Sequence, residues 1–367
     1  MNITIVLQSP FLDRIPSLKT LIIYLSKLGH QVKVISSVSP IFPVSNLSMC
    51  PNVKQILVKH RERKLELPTK IKLLMRVLKD LLLNRSYIGG DDGGSYLLNI
   101  FHRLFKTRYV NFLLEYPDIE DPNELQRIED ADVLITHDHW HSDFLKQHCN
   151  LDEKKILYLP NASYTDEYRD TSDYLSRRLG IDSDKVILLH SGGLGKMFMC
   201  KELAESARSW SKEKVLVFHT SHKVENDPYY LSMTQTIKEY DNVLFSMKPV
   251  PNDALDALVA SATIGIALYS VEELSYRAEY MGVAAGKIGN YLKCGVPVIV
   301  NRLSSLSYIE DFRCGVLVDG INDIESACNK ILAHYEEFHD GAYRCYKEMW
   351  HPKNYLELIS DNLKLLR

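Results

Sequence analysis

Four stretches of the 367-residue sequence carry side chains whose types and spacing could do chemistry. His190-Ser191-Gly192-Gly193-Leu194-Gly195-Lys196 joins three glycines, which let a backbone approach a ligand closely, to a lysine that would add charge against an anion. The same residues would equally make a plain strand-to-helix turn. Gly286-Lys287-Ile288-Gly289-Asn290 sets a second Gly/Lys pair before a short helix that Gly295 would end. Asn290 lies one turn into that helix, within reach of a polar ligand group. Ile88 to Gly94 offers Asp91 and Asp92, either of which could hydrogen-bond a hydroxylated substrate, act as a base, or simply cap the next helix. Thr136 to His141 presents His137 and His139 as candidate substrate contacts. Neither of the last two stretches reads as a metal site. The aspartates lack a third carboxylate at useful spacing, and alternating histidines on a loop diverge.

Each stretch follows a β-rich run. These runs are Ile3–Leu7, Val32–Ser36, Val53–Val58, Tyr109–Leu114, Val133–Thr136 and Ile156–Leu159, then Val186–His190, Val215–His219, Val243–Ser246, Ile264–Leu268, Val296–Val300 and Val316–Val318. Helical-period stretches, such as Leu18–Leu28, Ile71–Leu83, Lys201–Trp210 and Asp253–Ser261, lie between many of them. Strands alternating with helices predict parallel sheets, and strands without polar alternation predict sheets covered on both faces. The expected fold class is α/β, with two Rossmann-like doubly wound domains facing a central cleft. The polar segment 160–184 marks the break between them. The expected domains are 1–165 and 166–349, with a C-terminal helix at about 350–367 packing back on the first. Ligands of such sheets bind beyond the carboxyl ends of strands, where Glu115 also falls.

Apolar residues make up 46% of the chain, enough for two cores. The net charge of −3 argues against general nucleic-acid binding. Seven cysteines occur with no CxxC pair, which predicts reduced thiols rather than zinc or a disulfide framework. The N-terminal MNITIVLQSP lacks the basic region and long apolar core of a signal peptide, and no run is long enough to span a bilayer. The expected location is cytoplasmic, at the inner face of a membrane if the chain meets one. Residues 59–85 raise that prospect. They hold nine Lys/Arg against three acids. Ile71, Leu74, Met75, Leu78, Leu81 and Leu82 form a helical stripe with Lys72, Arg76 and Lys79 opposite. Such a helix suits either an anionic membrane surface or ordinary packing on its own sheet.

GKIGNYLKCGVPVIVN resembles the second-domain motif of GT-B glycosyltransferases, particularly those similar to glycosyltransferase family 4. LLHSGGLGKMFMCKELAESA is similar to that family's first unit of the nucleotide-binding domain, and KILYLPNASY to its segment before the interdomain linker. Their order and separation match over essentially the whole chain. The resemblance implies transfer of a sugar from a nucleotide-diphosphate donor, a UDP-sugar or GDP-sugar, to a saccharide or lipid-linked acceptor. It implies retention of configuration, no metal and no other cofactor, in surface polysaccharide or glycoconjugate synthesis. Gly192, Gly193, Lys196, Gly286 and Lys287 would lie at the diphosphate, and Asn290 at the donor ribose. The N-terminal domain would bind the acceptor, with Asp91, Asp92 and His139 as catalytic candidates and Glu115 and His137 beside them. Two departures stand out. The family's paired glutamates are replaced by Gly282 and Asn290, and Phe198 and Met199 occupy the place of a usual cation. These keep two rivals in view, a sugar-nucleotide epimerase and a non-catalytic GT-B subunit that steadies a partner transferase.

Overall fold

The structure, a computed structural model, describes residues 1–39, 44–59, 67–81, 86–221, 226–251 and 254–365. The chain divides into two compact units, Met1–Thr165 with His351–Arg367, and Asp166–Trp350.

The first unit is a seven-stranded parallel sheet. Its strands are β1 (Asn2–Val6), β2 (Gln31–Val38), β3 (Val53–Lys59), β4 (Ser86–Gly89), β5 (Tyr109–Phe112), β6 (Val133–Thr136) and β7 (Ile156–Tyr158), in spatial order β3-β2-β1-β4-β5-β6-β7. The sequence pattern yields every strand but β4, which is only four residues long and merges into the glycine stretch after it. All four of its residues are buried, and its pairing with β1 and β5 supplies what its length does not. Helix α1 (Pro16–Lys27) covers one face. There Leu18, Leu21, Ile22 and Leu25 pack with Leu356, Ile359 and Leu363 of the C-terminal helix Lys353–Leu365. Helices α2 (Leu67–Leu81) and α3 (Asp92–Phe105) cover the other, through Leu73, Val77, Leu97, Leu98 and Phe101.

The inward face of α2 is not the one its apolar stripe suggests. Leu73, Val77, Thr69 and Asp80 are buried, whereas Ile71, Met75 and Leu78 are exposed beside Lys70, Lys72, Arg76 and Lys79. Leu82 and the side chain of Leu81 lie outside the described residues, as do residues 60–66 and 82–85. Asp80 decides the rotation. Its carboxylate accepts from the Thr4 hydroxyl of β1 and pairs with the Lys33 ammonium of β2. A buried carboxylate needs such partners, and helical periodicity alone does not reveal them.

The second unit is a six-stranded parallel sheet of β8 (Val186–Ser191), β9 (Lys214–His219), β10 (Val243–Ser246), β11 (Ile264–Ala267), β12 (Val298–Asn301) and β13 (Gly315–Val318), in order β10-β9-β8-β11-β12-β13. The helix Gly286–Lys293 is pressed so closely onto this sheet and onto Trp350 that glycine is required at two points. A Cβ on Gly265 would stand 2.4 Å from Cγ of the fully buried Tyr291, and one on Gly289 would stand 2.3 Å from Cε3 of Trp350. All seven cysteines are free and buried. Among the described residues no helix is long and apolar enough to cross a membrane. Gly289→Ala is expected to cost roughly 1–3 kcal/mol through overpacking against a ring, read as a lower urea-unfolding midpoint. Gly195→Ala, where nothing lies within 4 Å, is the matched control and should leave the midpoint unchanged.

Candidate functional site

In the first unit the strand order reverses between β1 and β4, which leaves their following loops to diverge over the sheet edge. A pocket of about 370 Å³ opens there, lined by residues that include Ser9, Phe11, Arg14, Asp91, Asp92, Glu115, His137 and Asn161. Four sequence candidates therefore meet in one concavity, but their states differ.

The Asp91 carboxylate is fully engaged. It accepts from the Gln8 N–H with both oxygens at 3.0 Å, from the Ser9 N–H at 2.7 Å and from the Ser9 hydroxyl at 2.6 Å. It also accepts from Gly94 N–H at 2.7 Å as the N-cap of α3. This carboxylate ties the β1 loop to the helix and has the bonding of a cap rather than of a free base. Asp92 starts the helix with its side chain exposed at the pocket mouth. The protein around it still strips enough hydration to raise its carboxyl from 3.8 to about 6. Glu124, Asp91 and Glu115 add to the rise, and Arg127 opposes it. Asp92 is thus placed to exchange a proton near neutrality. His137 is buried with Nδ1 3.0 Å from the Leu159 carbonyl oxygen. Burial lowers its pKa against the opposing pull of the Leu159 and Leu114 carbonyls. Glu115 is exposed at the rim.

His139 is not among the residues lining this pocket. Its stretch is not a loop. Asp138 caps the helix His139–His148 by accepting from His141 N–H at 2.8 Å. The exposed His139 ring stacks on Trp140 at 3.9 Å. Ser9, Phe11, Arg14 and Asn161 escaped the sequence reading, although all follow β1 or β7 and the strand-end rule would have found them.

The second unit reverses its strand order between β8 and β11. Here the two glycine/lysine loops come together. A Cβ on Gly192, at φ 142°, would lie 3.6 Å from Lys287 Cε and 3.7 Å from its Nζ. The Lys287 ammonium sits 3.7 Å from the Phe198 ring centroid and 5.4 Å from that of Tyr269. The lysine stem is partly exposed, but Nζ is sealed from solvent and has no hydrogen-bond partner. Burial pulls its pKa from 10.5 to about 8. Gly193 backs the ring, since a Cβ there would stand 3.1 Å from Phe198 Cε2. Tyr291 joins the two loops. Its hydroxyl accepts from Ser191 N–H and donates to the Leu189 carbonyl, both at 2.8 Å. Gly286 opens the Gly286–Lys293 helix, and Asn290 lies half-buried one turn in.

Lys196 and the helix after it behave otherwise. Lys196 begins a single 3-10 turn and is exposed. The following helix, Cys200–Ser206, has its Lys201 N–H bonded to the Tyr229 hydroxyl at 2.8 Å. One of its leading donors is thus taken by a side chain of its own unit. A larger concavity of about 980 Å³, lined by Lys185, Arg208, Trp210, Lys212 and Lys238 among others, lies at the amino ends of β8 and β9. That is the opposite edge from the glycine loops, where this sheet class does not bind ligands. Among the described residues no group of three or more His, Cys, Asp or Glu is placed to hold a metal ion.

No protein-family model matches the chain, and no curated protein is significantly similar to it in sequence. Solved structures share its fold. A sucrose-phosphate synthase from Thermosynechococcus elongatus is 13% identical at a TM-score of 0.77, over 99% of this chain and 98% of that one. HepE of Anabaena, solved in complex with UDP-glucose, is 14% identical at 0.74, over 99% of both chains. WaaG, a glycosyltransferase involved in lipopolysaccharide biosynthesis, is 13% identical at 0.68, over 98% of this chain and 99% of that one. The fold of this chain is the GT-B glycosyltransferase fold.

The two aspartates separate by stability. Asp91→Ala is expected to cost about 1–2 kcal/mol, the upper range for a lost N-cap, measured by urea unfolding. For Asp92 the folded state favours the protonated acid. That contribution is complete below about pH 4 and lost as pH rises through about 6. Asp92→Asn should therefore raise the melting temperature at roughly pH 7.5 and leave it unchanged at about pH 4.

Proposed function

We propose that the chain is a glycosyltransferase that moves a sugar from a nucleotide-diphosphate donor to a hydroxylated acceptor. The observation that carries this reading is the Lys287 ammonium, buried at the meeting of two glycine loops with no hydrogen-bond partner or ion pair among the described residues. An unneutralised buried cation is costly unless an anion completes it. A diphosphate leaving group, whose charge grows as the glycosidic bond breaks, is such an anion, and a fixed ammonium favours the charge that develops. Gly192 and Gly193 let the backbone come close, Gly286 opens a helix amino end toward the same place, and Asn290 is left for a ribose hydroxyl. Lys196, exposed on its turn, would reach the phosphates only from solvent.

The acceptor is assigned to the pocket of the first unit. Asp92 and Glu115 there suit sugar hydroxyls, Phe11 suits the apolar face of a sugar ring, and Asp91 holds the wall. We read the transfer as retaining and metal-independent, with a donor-phosphate oxygen helping to deprotonate the acceptor. That route requires no protein nucleophile. The UDP-glucose bound to HepE favours a UDP-sugar over a GDP-sugar, and the role printed for WaaG favours a surface-polysaccharide acceptor. A non-catalytic subunit is the second reading, favoured by Phe198 standing where the resemblance expects a cation.

Titration of the purified chain with UDP and GDP separates the two. Micromolar binding of one diphosphate, unchanged by chelator and lost by about a hundredfold in Lys287→Glu, is expected. No binding by either, or an undiminished Lys287→Glu, would sink the transferase reading.

We further propose that α2 rests on an anionic membrane, at the cytoplasmic leaflet. Its exposed Ile71, Met75 and Leu78 run along one stripe flanked by Lys70, Lys72, Arg76 and Lys79. This placement would bring the enzyme to a lipid-linked acceptor. The chain should co-sediment with phosphatidylcholine vesicles containing phosphatidylglycerol and not with phosphatidylcholine alone. The triple change Lys72→Glu, Arg76→Glu, Lys79→Glu should weaken that partition by about a hundredfold or more, at about 1 kcal/mol per lost cation. Equal sedimentation of variant and parent would refute it.

A further inference from the structure

Among the described residues, the titratable groups around the Lys287 ammonium are uncharged near neutral pH. His190, at the end of β8, is buried and pushed down to about 3, by burial first and by Lys287 second, so its ring is neutral. The Cys200 thiol is pushed up to about 11 by burial. The Tyr269 and Tyr291 phenols are both raised by burial. What faces the nitrogen instead is the π-surface of Phe198, 3.7 Å away. That ring is held on its other sides by Gly193, by His190 at 6.0 Å and by Tyr269 edge-on at 6.1 Å.

We propose that Phe198 is a positioning residue for the donor phosphates, its ring face holding the Lys287 ammonium charged and beside Gly192. The proposal rests on the donor reading above. A carboxylate in that place would also hold the ammonium, but it would neutralise the lysine and repel the diphosphate. An aromatic face favours the cation electrostatically while leaving its charge available to a ligand. Burial draws Lys287 down to about 8, so the ring works against deprotonation in the range where the loss would matter.

The test is calorimetric titration of the full chain with UDP from about pH 6.5 to 9.5. Parent affinity should fall as pH rises through about 8. Lys287→Arg, charged throughout, should bind without that fall. Phe198→Leu should bind roughly tenfold more weakly, with its midpoint moved to lower pH, while Phe198→Tyr keeps both affinity and midpoint. A leucine variant with parental affinity and midpoint would overturn the proposal and leave the donor site standing. Absence of UDP and GDP binding by the parent would remove the donor site and the proposal together. If Phe198→Leu does not fold, Phe198→Trp decides. Its stronger face should move the midpoint upward, and an unmoved midpoint would overturn the role of the ring.

Discussion

Both candidate sites exist because a parallel sheet built by right-handed crossovers must reverse its winding somewhere. On either side of the reversal, successive connections run over opposite faces. The loops leaving two adjacent strands then part and expose the sheet edge between them. In the first unit those strands are β1 and β4, and in the second β8 and β11. The residues of both candidate sites descend from that constraint. Gln8, Ser9 and Asp91 close the base of the first gap. Gly192, Phe198 and Tyr269 line the second, and Lys287 reaches it from the helix beside them.

The two gaps are finished with different electrostatics. The first is acidic and only partly solvated, with enough burial to raise the Asp92 carboxyl. Its one deeply bonded carboxylate is held by backbone donors, and its chemistry is left to an exposed neighbour. The second is dry, and its cation is held by aromatic and backbone groups without an anion. A dry site strengthens any charge interaction formed in it and penalises charges left alone. Lys287 Nζ is left in that state, buried without a hydrogen-bond partner. Tyr291 matters to this arrangement without touching a ligand, since it fastens the lysine-bearing helix to the backbone of β8.

Much of this was legible in the chain itself. Short apolar, β-rich runs and glycine turns locate twelve of the thirteen strands, because buried parallel strands read as compact apolar runs. They missed β4, whose four residues are strand only because β1 and β5 flank them. The glycine/lysine loops are legible as motifs, and the resemblance implies their convergence, which spacing alone does not give because about ninety residues of sequence separate them. The reading of the aspartates as base or cap divided between the two, with the first capping and the second facing solvent. The α2 stripe is legible as amphipathic, and the sequence leaves open whether it packs on the sheet or faces outward; Ile71, Met75 and Leu78 face outward while Leu73 and Val77 pack inward. A leucine-rich helix fits two overlapping stripes, and only the buried pair of Asp80 with Lys33 selects one. His139 is not among the residues lining the pocket, because a capping aspartate makes it the start of a helix.

The return of the last helix to the first unit has a bearing on how the molecule is made. Leu356, Ile359 and Leu363 belong to the same core as α1, yet they leave the ribosome after the whole of Asp166–Trp350. At about 5–20 residues per second, that continuous unit takes on the order of 10–40 seconds to emerge. Throughout that interval the earlier unit lacks one wall, while the later one becomes complete in a single uninterrupted stretch. The half synthesised second is thus the first to have all its parts, and the half synthesised first is sealed only when the helix Lys353–Leu365 has followed it.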